Sequence, residues 1–202
     1  DSGLAFVVIQ HLSPDYKSLM DELLARFTNM KIHRVEDGMP LKVNRVYLIP
    51  PRKNMTIFHG KLYLTEQDHS RAMNMPIDIF MRSLAQDMGK NAIGVILSGT
   101  GSDGTLGIRA IKEHGGMVIA QDDRTAKFDG MPRSSISTGM VDYILTPAEM
   151  PEALINYVKH PFIQQTEHIE NQITEDEDYL SKIIMIIRDA TGIDFSNYKE
   201  ST

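Results

Sequence analysis

The chain has 202 residues, 42% hydrophobic and 24% charged, which suits one globular domain with some appended sequence. Its 27 acidic against 21 basic residues give a net charge of −6, a poor match to a polyanion, so nucleic acid is not an expected partner. The absence of cysteine removes disulfides, thiolate zinc sites and cysteine nucleophiles together and fits a reducing compartment, the cytoplasm by default.

Short β-branched runs alternate with helical patterns along the chain. "LAFVVIQ" is followed by "SLMDELLARF", "RVYLIP", "PIDIFMRSLAQDM", "AIGVILS", "LGIRAIKEHG", "GMVIAQ" and "VDYILT". This alternation predicts an α/β fold with a mainly parallel, doubly wound sheet. Leu19, Leu23, Leu24 and Phe27 recur at helical spacing, as do Ile77, Phe80, Met81, Leu84, Ala85 and Met88, and each set is expected on one buried face. Met at such positions reads as core filler. "MTIFHGKLYLT" differs: two alternating runs meet at His59-Gly60, the pattern of a β-hairpin, expected as an antiparallel edge. Gly115 after "IKEH" reads as a helix stop. The longest apolar stretches, Leu4 to Ile9 and Ile93 to Leu97, fall far short of the roughly 20 residues that span a bilayer, so no membrane insertion is expected.

After "PEALINYVKHPF" the character changes. Residues 163–177 are polar and acidic and read as a linker. In residues 178–202 Leu180, Ile183, Ile184 and Ile187 share one helical face, with a stop at Gly192, which reads as a helical tail opening another domain.

"GVILSGTGSDGTLG", Gly94 to Gly107, supports two chemistries. As Gly99-x-Gly101-x-x-Gly104 between a strand and a helix, with Asp122 about 20 residues on, it fits a dinucleotide cradle and an oxidoreductase. Too little chain follows to complete such a domain. A Gly-rich turn with no ligand is the bland alternative. As a loop at the carboxyl end of a strand, it delivers Asp103 to the place where open α/β sheets keep their sites. His11, just past the strand in "FVVIQHLSP", has a matching setting, and the pair would suit a Ser-His-Asp hydrolase. His33, His59, His69, His114, His160 and His168 have no metal-ligand spacing, and no metal is expected.

Over residues 1–162 the chain resembles the CheB-type chemotaxis protein-glutamate methylesterases. The blocks that carry this are "VVIQHLSP", "VYLIPPRKNM", "MPIDIFMRSLA", "GVILSGTGSDGTLG" and "DGMPRSSISTGMVD", in the family's order. The resemblance implies a Rossmann-like fold, His11 as general base and Asp103 as the acid of the triad. Thr100 and Gly101 would lie by the oxyanion region, with Met131 and Pro132 in the wall beside the site. It implies hydrolysis of glutamate methyl esters on chemoreceptor signalling helices, deamidation of receptor glutamines in some members, and no cofactor. The family usually has Met at Thr100 and His at Asn54. Its nucleophilic serine lies in a Gly-Ala-Ser motif on a strand preceding the histidine's, so the chain is expected to lack that strand and to be inactive alone. Ser2 stands at the wrong end of "LAFVVIQ" to substitute, and Ser98, Ser102, Ser134 and Ser135 are not at the family's position. "YLSKIIMIIRDATGIDFSNYK" is similar to the opening of CheR-type receptor methyltransferases, which implies a CheB/CheR fusion whose S-adenosylmethionine site lies outside this sequence. A sheet without its central strand is expected to dimerise or swap strands. A non-catalytic module that binds receptor helices or a signalling partner is the alternative from another class.

Overall fold

Residues 2–11, 19–67, 74–159 and 187 are described in a computed structural model of the chain. Residues 1–164 form one compact unit and 165–202 a second. The linker and tail expected at 163–177 and 178–202 lie, Ile187 apart, outside the described residues. In chain order the elements are β1 (Ala5–Val8), α1 (Met20–Leu24), β2 (Lys31–Arg34), β3 (Met39–Pro40), β4 (Arg45–Leu48), β5 (Lys53–Phe58), β6 (Lys61–Glu66), α2 (Pro76–Met88), β7 (Ile93–Ile96), α3 (Thr105–Glu113), β8 (Met117–Gln121), α4 (Gly130–Ser137), β9 (Tyr143–Leu145) and α5 (Met150–Val158).

The fold is mixed α/β with parallel sheets, as the alternation predicts. One parallel sheet has the order β1-β4-β2, with Ala5 and Lys31 both opposite Arg45. A second has the order β7-β8-β9, with Ile93 opposite Met117. The hairpin forms where expected: β5 and β6 meet across His59 and Gly60, whose φ values of 47° and 69° match the two-residue turn that suits strand twist. It joins β3 in an antiparallel sheet of its own rather than lengthening a parallel one.

Helix α2 ties these layers together because apolar residues point from it in two directions. Phe80 packs with Met55, Ile57 and Leu62 of the hairpin and with Tyr47. Ile77, Met81 and Ala85 pack with Ile96, Ile108, Ile111 and Val118. Ile9, just past β1, touches both clusters and so fixes the segment leading to His11.

The burial expected for the first helix is not found. Helix α1 has only five residues, and Leu19, Leu23 and Phe27 are 56%, 49% and 80% exposed. A bidentate pair joins its Asp21 to Arg34 of β2, and none of its residues is buried. By contrast α3 ends as read: Gly115, at φ 79°, follows the last turn, and the Gly116 N–H donates to the Ile111 carbonyl at 2.9 Å. A Cβ on Gly116 would lie 2.5 Å from the Ala92 carbonyl oxygen, a backbone atom that cannot move aside cheaply. Gly116→Ala is therefore expected to cost about 1–3 kcal/mol, measured by urea unfolding.

Candidate active site

Strands β1 and β7 belong to different sheets, yet the residues following them meet. His11 Nε2 lies 2.9 Å from Asp103 Oδ2. Both residues follow the carboxyl ends of parallel strands, the end at which open α/β sheets carry ligands. Among the described residues β1 pairs only with β4 and β7 only with β8, so each keeps one unpaired edge. The His11 side chain is 51% exposed and that of Asp103 4% exposed, so a buried acid faces an accessible imidazole. With Nε2 against a carboxylate, that nitrogen carries the proton and Nδ1 presents a lone pair, the form a general base needs.

Asp103 is fixed by more than the histidine. Its Oδ2 accepts from the Ile77 N–H at 3.0 Å and its Oδ1 from the Asp78 N–H at 2.9 Å. These N–H groups belong to the first turn of α2, where helical backbone leaves donors without intrahelical acceptors and the helix dipole favours negative charge. Asp78 is buried beside it, and its Oδ1 accepts from the Gly107 N–H at 2.7 Å. Burial, with the charge of Asp103 as a lesser cause, pushes the Asp78 carboxyl above its ordinary value. Asp78 was not among the residues singled out from sequence. Its local signal was an acid in a first turn behind Pro76, the kind of residue usually read as a dipole partner.

The loop after β7 and the start of α4 are stitched by backbone. The Gly99 N–H donates to the Phe128 carbonyl at 2.9 Å, and the Met131 N–H donates to the Gly99 carbonyl at 2.8 Å. A Cβ on Gly99 would lie 2.3 Å from Met131 Sδ, and one on Gly130 would lie 3.0 Å from the Gly101 nitrogen, so both glycines permit the close approach. Thr100 and Gly101 are exposed on this loop. Met131 and Pro132 are buried, so backbone carries the junction there while the Met131 side chain enters the core.

Of the five serines weighed from sequence, three make hydrogen bonds away from His11. Ser98 Oγ accepts from the Phe128 N–H at 2.9 Å, Ser134 Oγ donates to the Gly101 carbonyl at 3.2 Å, and Ser135 is fully buried. Ser102 is exposed beside Asp103. Ser2 precedes β1, at the opposite end from His11, and its Oγ accepts from the Leu4 N–H. Among the described residues no hydroxyl is hydrogen-bonded to His11. The glycine motif does not favour a dinucleotide either. At the start of α3, where a phosphate would need free N–H groups, the Asp78 carboxylate already takes that of Gly107, and Asp122 is paired with Arg124. Among the described residues no group of three His, Cys, Asp or Glu is placed to hold a metal. No helix among them is long and apolar enough to cross a membrane.

Parallel strands ending in a hydrogen-bonded imidazole and buried carboxylate define an α/β domain of the class that includes triad hydrolases. The family model of the CheB methylesterase matches residues 1–154, and the chain belongs to that family. It superposes on the Thermotoga maritima CheB methylesterase catalytic domain with a TM-score of 0.67 and 33% identity, over 74% of this chain and 82% of that one. A protein-glutamate methylesterase/protein-glutamine glutaminase of Pyrococcus horikoshii is 30% identical over 79% of this chain and 44% of its own length. A putative enzyme of the same name from Leptospira interrogans is 32% identical over 76% of this chain and 80% of its own. An uncharacterized 104.1 kDa protein of Rhodobacter capsulatus is 37% identical over 91% of this chain, which spans only 21% of it. The chain thus covers less than half of some relatives and most of others.

Proposed function

We propose that residues 1–162 are the greater part of a protein-glutamate methylesterase domain that hydrolyses glutamate methyl esters on chemoreceptor signalling helices in the cytoplasm. The observation that carries this reading is the 2.9 Å contact between His11 and Asp103 at the ends of two strands that each keep an open edge. The nucleophile is a serine at the end of a further parallel strand seated between β1 and β7, supplied from outside these residues. His11 Nδ1 takes the serine proton as the oxygen attacks the ester carbonyl, and the acid Asp103 holds the imidazole in the required tautomer. The imidazolium then protonates the methoxy oxygen as its bond to the carbonyl carbon breaks, methanol departs, and water resolves the acyl-enzyme by the same base. The same steps with ammonia as leaving group would deamidate a receptor glutamine. Backbone N–H groups at the serine's turn, with that of Thr100, hold the oxyanion, each such donor contributing about 100- to 1,000-fold in rate. No resident cofactor enters these steps.

Without the serine strand the chain is inactive by itself, and its open edges favour strand exchange between two copies. Residues 163–177 link the domain to a CheR-type methyltransferase opening at 178–202, whose S-adenosylmethionine site lies further on. The Rhodobacter match supports a shared tail, since 91% of this chain reaches past residue 154.

Methanol release from a methylated receptor fragment tests the reading, comparing this chain with the protein extended upstream by one strand and its helix. Release by the extended form alone is the expected result. Equal release by the short chain would place the nucleophile within it, and release by neither would favour the receptor-binding module instead.

A further inference from the structure

Asp78 and Asp103 stand in a reciprocal arrangement that catalysis by the pair does not itself require. The residue preceding α2 is Met75 and that preceding α3 is Gly104, and neither supplies a side-chain cap. Each helix instead borrows one from the other. Asp103, two residues before α3, accepts from the Ile77 and Asp78 N–H groups that open α2. Asp78, from the first turn of α2, accepts from the Gly107 N–H that opens α3. Missing side chains make the exchange possible: a Cβ on Gly104 would lie 2.7 Å from Ile96 Cδ1, and one on Gly107 2.5 Å from Met81 Cβ.

Asp78 also carries a cost that simple packing does not explain. It is 4% exposed, and among the described residues no donor lies within hydrogen-bond distance and geometry of its buried Oδ2. A buried polar atom without a partner is costly and rare in native proteins, so its retention calls for a reason. Here two of the three hydrogen bonds on Asp103 come from the turn that Asp78 clamps to α3.

We infer that Asp78 is a positioning residue: by locking the first turns of α2 and α3 to each other, it holds Asp103 where it fixes the tautomer of His11. The contribution lies in the hydrogen bond to Gly107, which an asparagine oxygen can also accept. This rests on the reading of His11 as the base, so the test is chosen to need no turnover.

The tautomer of His11 is read from its Nδ1 and Nε2 chemical shifts in the ¹⁵N-labelled chain, with circular dichroism as the check on folding. In Asp78→Ala the ratio of Nε2–H to Nδ1–H forms is expected to fall by about tenfold or more, the loss typical of a hydrogen bond to a charged group. In Asp78→Asn it is expected to stay near the parent value. A folded Asp78→Ala with the parent ratio overturns the inference, and so does an Asp78→Asn that loses the ratio as fully as alanine. Should Asp78→Ala not fold, hydrogen exchange on the unaltered chain decides. The Ile77, Asp78 and Gly107 amides are expected to open together, with protection within about tenfold, whereas Gly107 exchanging about 100-fold faster than the other two overturns the mutual cap. An upstream-extended protein that keeps the tautomer but releases no methanol would refute the esterase reading and leave the positioning inference standing.

Discussion

His11→Ala in the upstream-extended protein should lower kcat for methanol release by about 10,000-fold or more, with KM little changed. The imidazole is asked to accept the serine proton and then donate it to the leaving methoxy oxygen, and alanine can do neither. What remains is the contribution of substrate binding and the oxyanion donors, which in triad hydrolases leaves about 1,000- to 10,000-fold over water. The fold should hardly register the change. The side chain is 51% exposed, so stability is expected to move by no more than about 0.5 kcal/mol. A large loss of rate with an unchanged urea midpoint identifies a chemical role. A rate within tenfold of the parent would remove His11 as the base.

Much of this arrangement was legible in the sequence because its causes are local. The β-branched runs became β1, β4, β7 and β8, and the spacing from Ile77 to Met88 became α2 with its buried face. His59-Gly60 became the hairpin turn because both residues adopt positive φ. His11 and Asp103 could be placed at strand ends one by one, since the end of an apolar run marks where a side chain leaves the sheet. What local pattern could not supply was the partner of each face. The leucines about α1 have the right spacing, but spacing says nothing of whether a neighbour exists, and Leu23 and Phe27 are exposed. Strand β3, two residues long, exists only by pairing with β6. Helix α4 begins Gly-Met-Pro and contains three serines, a composition that favours a turn, and it is held by Met131 reaching into the core. Asp78 was missed for the same reason, since its bond to Gly107 spans 29 residues and leaves no periodic trace.

Asp103→Ala should reproduce most of the catalytic loss of His11→Ala and add a structural one. Removing the carboxylate frees the imidazole to adopt the wrong tautomer, and in triad enzymes loss of the correct tautomer costs about 10,000-fold in kcat. It also leaves the Ile77 and Asp78 N–H groups buried without acceptors at the start of α2. At about 1–3 kcal/mol for each orphaned group, the urea midpoint should fall visibly, unlike that of His11→Ala. Asp103→Asn separates the two effects. Its amide oxygen restores one N–H bond and recovers part of the stability. That oxygen, at the Oδ2 position, can still accept from both the Ile77 N–H and His11, but the amide carries no charge to stabilise the imidazolium, so activity should stay low. In the double variant His11→Ala with Asp103→Ala, the rate should be no lower than with His11→Ala alone, because an acid that acts only through the imidazole has nothing left to orient. The stability losses should fall short of additive by the energy of the His11–Asp103 contact, which each single variant already removes, and a double variant far slower than either single one would mean that Asp103 also touches the substrate directly.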